Sequence, residues 1–472
     1  MRKTLKAIFS FVVVCLLVVT GMAYLSDLTE RKESNNKFSE FYEQEEDYDV
    51  LFLGSSHVLN SVFPMELWND YGIVSYNLAG YGSRSASNYW VLKNALEYTT
   101  PELVVVDCCM ISLEEKVGSV EQLHMSTDHI PFGKIKVEMI RDLVEDEEQH
   151  WDFLWEFSTY HNRWNELEEN DFDFRPSPEK GAESRIAVAI PDAVEAKDTS
   201  CKVEEETVGI EYLRKIIEEC QEQDIQVLLT YIPFPGNTGW QPEINSARDI
   251  AEEYDVDYLD YYTLMDRLNV HTDFYDKNSH VNPSGARKIT EHIGSYISNV
   301  YGIEDHREDE IYSKWHDDYQ VYTEFKHNNI KTEEELKSYL MLLKDKNLSY
   351  GVYLKWGFDW NAYPVLKELL FNIGVNPAQV VENGKCFVFV DNVNQTQSMI
   401  TTLENIDTYF GEFSLLFNDI GELELVSKGN NRMSVTFNDI GVIVFDNSTL
   451  SLVDQAVFEI DEADVNMIRV VR

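Results

Sequence analysis

Residues 50–58 read VLFLGSSHV, and this stretch decides the fold that the sequence predicts. The four apolar residues Val50–Leu53 are typical of a short strand buried on both faces, as strands of a parallel sheet are. Gly54, Ser55 and Ser56 come directly after this strand. Because ligands bind beyond the carboxyl ends of parallel strands, we expect the two serines at the edge of the sheet where a site can form.

Further apolar runs follow at the spacing of α/β units. They are Ile73–Leu78, Leu103–Asp107, Ile225–Ile232 and Val256–Leu259. Helical patterns lie between them, and an amphipathic stripe immediately precedes the fourth strand. The sequence therefore predicts a doubly wound parallel sheet of the α/β class.

A long insertion, at about residues 111–204, separates the third predicted strand from the fourth. It carries helical patterns around Ile135–Glu145 and Trp151–Leu167, followed by a loop that contains Pro, Gly and Ser. An insertion of this length near the ends of the strands is well placed to cover a site.

The chain begins with a segment that can cross a membrane. Ala7–Leu25 carries no charge and is preceded by three basic residues. At ~1.5 Å per residue the run spans roughly 28 Å, close to the ~30 Å hydrocarbon core of a bilayer. We expect a single-pass signal anchor over residues 1–25 and a stalk over 26–46, with the bulk of the chain extracytoplasmic. The alternative is secretion after signal cleavage, since residues 21–23 are small enough for a cleavage site.

The composition changes after Tyr301. Residues 304–318 are charged and hydrophilic and are interpreted as a linker, and residues 319–472 as a C-terminal α+β module. Thr332 followed by Glu335 predicts a capping box at the head of a helix in this module.

Charge and cysteine spacing exclude several classes of function. The 84 acidic and 39 basic side chains give a net charge of −45, which repels the phosphates of nucleic acids and anionic lipids. No nucleic-acid partner is expected. The six cysteines show no CxxC or Cys/His spacing typical of zinc, so neither a metal nor a cofactor is expected.

A second chemistry-bearing segment is DFYDKNSHVNPSGARKIT, residues 273–290. A serine hydroxyl is a weak nucleophile unless a base removes its proton, and the base needs an orienting acid. His280 follows Asp276 by four residues, so one short loop carries both. We expect this loop to meet Ser56.

The ordered blocks GSS, NLAGYG and D…HVN…GA resemble the SGNH (GDSL-type) hydrolase superfamily. The GSSH form is similar to its membrane-anchored bacterial branch that acts on cell-surface polysaccharides, which includes alginate O-acetylation proteins and the D-alanine transfer protein of teichoic acid synthesis. The resemblance implies a flavodoxin-like fold over residues 47–303. It also implies a serine esterase or O-acyltransferase, with an acetyl ester as the expected substrate.

Carried over by position, the resemblance makes Ser56 the nucleophile, His280 the general base and Asp276 its orienting acid. The oxyanion hole would use the backbone N–H groups of Ser56 and Gly82. Because the spacing from acid to histidine is one residue longer than D-x-x-H, Asp273 is an alternative acid.

Two further departures from the family pattern concern the serine turn and the oxyanion hole. Ser55 stands where the family commonly has Asp, which is not the acid of the triad. The GxND block, whose Asn donates to the oxyanion, is absent after VVVDCC. The insertion could supply a replacement donor, through His161, Asn162 or Arg163.

Two functions from different classes are compatible with these features. The first is an enzyme that acts on a cell-surface glycan or acylated polymer, together with polysaccharide export machinery. The second is a catalytically inactive protein of the same fold that binds or assembles polysaccharide, which the missing GxND favours. The C-terminal pattern GVIVFDNSTLSLVDQAVFEID, residues 441–461, resembles ILEI-like carbohydrate-associated modules and favours a glycan partner in both cases.

Overall fold

The fold was analysed in a computed structural model of the full chain. The residues it describes are 2–30, 38, 40–155, 157–172, 176–191, 200–232, 240–278, 280–354, 359–378, 386–400, 405–417, 423–427, 432–435, 439–460 and 467–470.

A five-stranded parallel sheet forms the centre of the first half of the chain. Its strands are β1 (Val50–Leu53), β2 (Ser75–Asn77), β3 (Leu103–Asp107), β4 (Gln226–Tyr231) and β5 (Asp257–Asp260). They lie in the order β2-β1-β3-β4-β5. The direction of winding reverses between β1 and β3, and such a point is where open α/β sheets form their sites. The predicted doubly wound α/β sheet is confirmed.

Both faces of the sheet are buried, as the apolar strands predict. In β1, Leu51 and Leu53 belong to one core, whereas Val50 and Phe52 belong to the core on the opposite face. All four side chains are 0% exposed. Successive residues of a strand point to opposite faces, so a continuous apolar run is what this position in the sheet requires.

Helices cover the two faces of the sheet, and one helix lies at the N-terminal end of the chain. The α-helices are α1 (Arg2–Thr29), α2 (Ser56–Leu59), α3 (Pro64–Tyr71), α4 (Ser85–Ala95), α5 (Val120–Thr127), α6 (Lys134–Leu143), α7 (His150–Leu154), α8 (Phe157–Tyr160), α9 (Glu169–Phe172), α10 (Val208–Glu222), α11 (Gln241–Tyr254), α12 (Pro283–Val300), α13 (Ser313–Thr332), α14 (Leu336–Leu342) and α15 (Pro364–Asn372). Short 3₁₀ helices lie at Glu147–Gln149, His161–Asn165, Met265–Arg267, Glu310–Tyr312 and Trp360–Ala362.

Helix α1 contains one stretch that is long and apolar enough to span a membrane. Thr4–Ser26 has 23 residues and a mean hydropathy of 2.5, and its apolar window is 0% buried against the protein. This is consistent with a single-pass anchor or a signal sequence.

The insertion between β3 and β4 contains helices α5 to α9. The helix expected around Ile135–Glu145 is α6. The one expected over Trp151–Leu167 is instead broken into α7, α8 and the 3₁₀ helix His161–Asn165. Trp155, which ends α7, has an extended ψ of 90° and stops the helix there.

The C-terminal part is an antiparallel α+β structure, as the sequence predicts. A six-stranded sheet has the order β15-β14-β13-β6-β7-β8, and a four-stranded sheet has the order β12-β11-β10-β9. The strands are β6 (Leu348–Leu354), β7 (Cys386–Asp391), β8 (Thr396–Ile400), β9 (Asn405–Thr408), β10 (Gly411–Phe417), β11 (Leu423–Ser427), β12 (Arg432–Val435), β13 (Asp439–Asp446), β14 (Leu452–Ile460) and β15 (Met467–Val470).

The segment between the two parts packs closely against the first part. Two aromatic residues of the expected linker 304–318, Tyr312 and Trp315, are buried. They lie in the same core as Tyr48 and Trp68. The expected capping box is wrong, because Thr332 ends α13 and its hydroxyl donates to the Asn328 carbonyl at 2.8 Å.

Candidate active site

Ser56 is the first residue of α2 and follows a turn that only glycine fits. A Cβ on Gly54 would lie 2.6 Å from Val58 Cγ2 and 2.9 Å from Asp107 Cβ, too close for any side chain. Ser55 caps the helix, since its Oγ accepts the His57 N–H at 3.4 Å. The N–H of Ser56 is at the helix N-terminus, where it has no intrahelical acceptor.

His280 lies on the loop between β5 and α12. An antiparallel bridge closes this loop. Phe274 pairs with Val281, and the Tyr275 N–H donates to the His280 carbonyl at 3.0 Å. Asn282 then caps α12, as its Oδ1 accepts the Ser284 N–H at 3.1 Å. The reversal brings residue 276 beside residue 280.

Ser56, His280 and Asp276 form a continuous chain of hydrogen bonds. Ser56 Oγ lies 2.8 Å from His280 Nε2, and His280 Nδ1 lies 2.7 Å from Asp276 Oδ2. When the N–H at Nδ1 donates a hydrogen bond to the Asp276 carboxylate, Nε2 carries no proton. Nε2 then accepts the hydrogen bond of the Ser56 hydroxyl. The arrangement can therefore remove the proton of Ser56 and stabilise the resulting imidazolium.

Asp273, the alternative acid, lies away from this chain. Its side chain is buried and pairs with Lys288 Nζ, and its Oδ1 accepts the Ser284 hydroxyl at 2.9 Å. Its Oδ2 also accepts the Asn269 N–H at 2.7 Å. The structure thus places Asp276 at the imidazole and gives Asp273 to the start of α12.

Two aromatic rings pack against the His280 imidazole. The His57 ring is stacked at 5.0 Å between centroids and the Tyr275 ring at 5.5 Å. Burial, with a smaller contribution from His280, lowers the pKa of His57 well below its ordinary value. His57 is therefore neutral and stabilises His280 by contact without competing for its proton.

Below this ring lies a buried polar cluster of His57, Asp107 and Cys109. One ligand atom of each lies within 4.8 Å of the others, so together they could hold a metal ion. Burial raises the pKa of Asp107 to about 7 and that of the Cys109 thiol well above its usual value. The Ile232 N–H donates to Asp107 Oδ1 at 2.9 Å and the Cys109 thiol hydrogen-bonds to Ser55, so the cluster also supports the serine turn.

The end of the insertion ties the serine helix to the histidine loop. The Glu183 N–H donates to the Leu59 carbonyl at 3.0 Å, and Asn60 Nδ2 donates to the Glu183 carbonyl at 2.7 Å. Six residues later, the Ala189 N–H donates to the Phe274 carbonyl at 2.9 Å. One extended segment therefore fixes the distance between the two halves of the site.

Gly82 adopts a left-handed conformation with φ +65°, and the side-chain amide of Gln122 rests against it. A Cβ on Gly82 would lie 2.2 Å from Gln122 Nε2, and one on Gly118 would lie 2.0 Å from Gln122 Oε1. Two glycines thus form a cradle for this amide. Arg84 is adjacent, with its Nη1 3.0 Å from Met110 Sδ just beyond β3.

Of the donors proposed from the sequence for the missing Asn, Arg163 and His161 contact other groups, and Asn162 between them is exposed. Arg163 donates to the carbonyls of Thr29 and Glu30, and His161 Nδ1 lies 2.8 Å from the Ser158 carbonyl. Gln122 could not be predicted from the sequence. No local pattern marks it, because it lies on α5, 40 residues beyond Gly82 in the sequence.

Comparison with known proteins adds little to this geometry. No family model matches the chain, and no curated protein matches it. Among solved structures, a candidate acylhydrolase from Bacteroides fragilis aligns over 57% of this chain and 99% of its own, with 13% identity and a TM-score of 0.29. A similarity at this TM-score carries no argument about function.

Proposed function

We propose that this chain is an SGNH-type serine esterase or O-acyltransferase that acts on acetyl esters of a cell-surface polysaccharide. The observation that carries the proposal is the hydrogen-bonded chain from Ser56 Oγ through His280 to Asp276. It joins residues 224 positions apart in the sequence with the geometry that activates a serine.

In the first half of the reaction, Ser56 Oγ attacks the carbonyl carbon of the ester as its proton passes to His280 Nε2. The tetrahedral intermediate collapses with cleavage of the acyl C–O bond. The departing sugar oxygen takes the proton from His280, which leaves an acyl group on Ser56. Asp276 stabilises the transient imidazolium through Nδ1.

In the second half, His280 removes a proton from water or from a sugar hydroxyl, and the oxygen attacks the acyl-enzyme. The ester bond to Ser56 breaks and the Ser56 oxygen recovers its proton from His280. Water as acceptor gives hydrolysis and a sugar hydroxyl gives transfer, so one site supports both reactions.

The oxyanion is stabilised by the N–H groups of Ser56 and Gly82, and the third donor is assigned to Gln122. This assignment is supported by the cradle that Gly82 and Gly118 form for the Gln122 amide. A glutamine amide supplies the same N–H donor as the family's Asn. One donor of this kind contributes on the order of 3 kcal/mol to transition-state stabilisation.

The membrane setting follows from α1. Retained as a signal anchor, the helix holds the chain at the membrane, and the basic residues Arg2, Lys3 and Lys6 at its start keep its N-terminus in the cytoplasm. The parallel-sheet part and the C-terminal module, residues 319–472, then face the cell surface. This location favours a surface glycan as the substrate.

The proposal is tested by hydrolysis of an aryl acetate with the detergent-solubilised full chain and with Ser56→Ala. The expected result is turnover that Ser56→Ala abolishes and that Ser451→Ala, an exposed serine in the C-terminal module, leaves intact. Turnover that persists in Ser56→Ala would exclude the serine mechanism. An inactive wild-type chain that still binds glycan would favour the inactive polysaccharide-binding alternative.

A further inference from the structure

The insertion forms hydrogen bonds to the C-terminal end of α1, the membrane-spanning helix. Arg163 Nη1 donates to the carbonyl of Thr29 at 2.8 Å and to that of Glu30 at 2.5 Å. An ion pair of 3.0 Å with Asp171 fixes the guanidinium from the other side. A cation at the last carbonyls of a helix also complements its dipole. The end of α1 is thus fixed to the folded insertion.

Large aromatic side chains are exposed on the two elements that carry Arg163 and Asp171, here called the clamp, and on the preceding helix α7. Trp151, Trp155, Trp164 and Phe172, here called the aromatic face, are 70%, 39%, 70% and 64% exposed. Trp164 directly follows Arg163, and Phe172 directly follows Asp171. Each residue of the clamp is therefore next to an exposed aromatic residue.

The clamp lies at the depth of lipid headgroups when α1 crosses a bilayer. The apolar stretch ends at Ser26, and Thr29 is three residues further along the helix. At ~1.5 Å per residue the clamp lies roughly 4.5 Å beyond the hydrocarbon. The polar layer on each side of a ~30 Å core is about 5–7 Å thick, so the clamp falls inside it.

We infer that the aromatic face rests in the headgroup layer of the membrane that α1 spans. Tryptophan favours this layer because its ring is apolar while its N–H can still bond to water or headgroups. The partner is a lipid surface of low charge. Glu166, Glu168 and Glu169 lie between Trp164 and Phe172, and these carboxylates repel anionic lipids.

Contact at α1 and at the aromatic face together would hold the parallel-sheet part in one orientation to the membrane. A helix end alone leaves rotation about the helix axis free. The insertion also contributes Gln122 and the segment around Glu183 to the candidate active site. The orientation of the insertion to the membrane therefore sets the orientation of that site. The inference rests on the retained anchor and is independent of catalysis.

The test uses the full chain in phosphatidylcholine nanodiscs, with lipids brominated near the headgroup end of the acyl chains as quenchers. None of the nine tryptophans lies in α1, so quenching of tryptophan emission reports on the folded part. We expect partial quenching in the wild type. It should disappear when Trp151, Trp155 and Trp164 are all replaced by Phe, which removes the reporters and keeps rings in place.

The matched control is Trp360→Phe, a buried tryptophan of the C-terminal module, which should leave the amount of emission lost to quenching unchanged. Equal emission with brominated and plain lipids would overturn the inference, as would unchanged quenching in the triple variant. Should the triple variant fold poorly, Trp164→Phe alone must lower the quenched fraction. A chain that nanodiscs do not retain would overturn the anchor and the inference together.

Discussion

Asp276 contacts His280 through both of its carboxylate oxygens. Oδ2 lies 2.7 Å from the ring Nδ1, and Oδ1 accepts the backbone N–H of the same residue at 3.1 Å. The second contact folds the loop and the first orients the ring. One acid therefore does both, which explains why the extra residue between acid and histidine is tolerated.

Asp276→Asn is expected to lower kcat by about 10³–10⁴-fold, because an amide no longer holds the proton on Nδ1 or stabilises the imidazolium. Steady-state hydrolysis of an aryl acetate measures the loss. Asp273→Asn serves as the comparison, and it should lower the free energy of unfolding, because Lys288 loses its partner, while the folded enzyme keeps its kcat. The reverse pattern would make Asp273 the acid.

Gln122→Ala is expected to lower kcat by about 10²–10³-fold with little change in KM, because the donor acts on the transition state. A boronic acid that forms a tetrahedral adduct with Ser56 should bind more weakly by a similar factor. Gln223→Ala, an exposed glutamine directly after α10, is the control. An unchanged kcat and unchanged boronate affinity would remove Gln122 from the oxyanion hole.

Glu179 gives the stability of the fold a defined pH dependence. Burial raises its pKa to about 7, although Ser184 donates to it through N–H and hydroxyl. Between pH 4.5 and 7 the unfolded chain loses this proton while the folded chain keeps it, so stability falls as pH rises, by ~3 kcal/mol in total.

Glu179→Gln should lack this contribution. The stability of the variant relative to the wild type should therefore rise between pH 4.5 and 7 and stay constant above. Urea unfolding at several pH values measures it. A difference between the two proteins that does not change with pH would show that Glu179 ionises normally.

Lys326 is largely covered between the two parts of the chain, with 14% of its side chain exposed. Its Nζ lies 2.9 Å from Glu66 Oε1 in α3 and 2.9 Å from Asp345 Oδ2 beyond α14. Burial pushes the pKa of Asp345 upward, but Lys326 and Arg287 outweigh it and hold that pKa below its usual range.

Lys326→Met leaves two buried carboxylates without their cation and should cost about 3–5 kcal/mol in chemical denaturation. Lys331→Met, an exposed lysine of the same helix, should cost almost nothing. Restoring part of the loss by adding Asp345→Asn would identify charge as the cause. A loss of equal size in both lysine variants would contradict this account.

The parallel sheet could be predicted because its signal is local. Val50–Leu53 and Leu103–Asp107 are apolar runs that burial on both faces demands, and their bounds match the prediction. The contact between Asp276 and His280 could also be predicted, since a separation of four residues limits how far apart they can lie.

What could not be predicted depends on contacts between distant segments. Tyr312 and Trp315 lie in a charged run whose average composition is that of a linker. One face of that run is nevertheless buried. Arg163 could be recognised as a donor but not located, because its acceptors are carbonyls at the end of α1. Gln122 is brought to Gly82 only by packing of the insertion.

The most direct measurement of the central claim is mass spectrometry of the full chain quenched during turnover of an aryl acetate. The acyl-enzyme mechanism predicts one acetyl group on the peptide that contains Ser56. In His280→Ala, the acetyl adduct should accumulate once it has formed, because deacylation needs the base. In Ser56→Ala, the adduct should be absent. Turnover without an adduct on Ser56, or an acetyl group on another residue whose replacement abolishes activity, would contradict it.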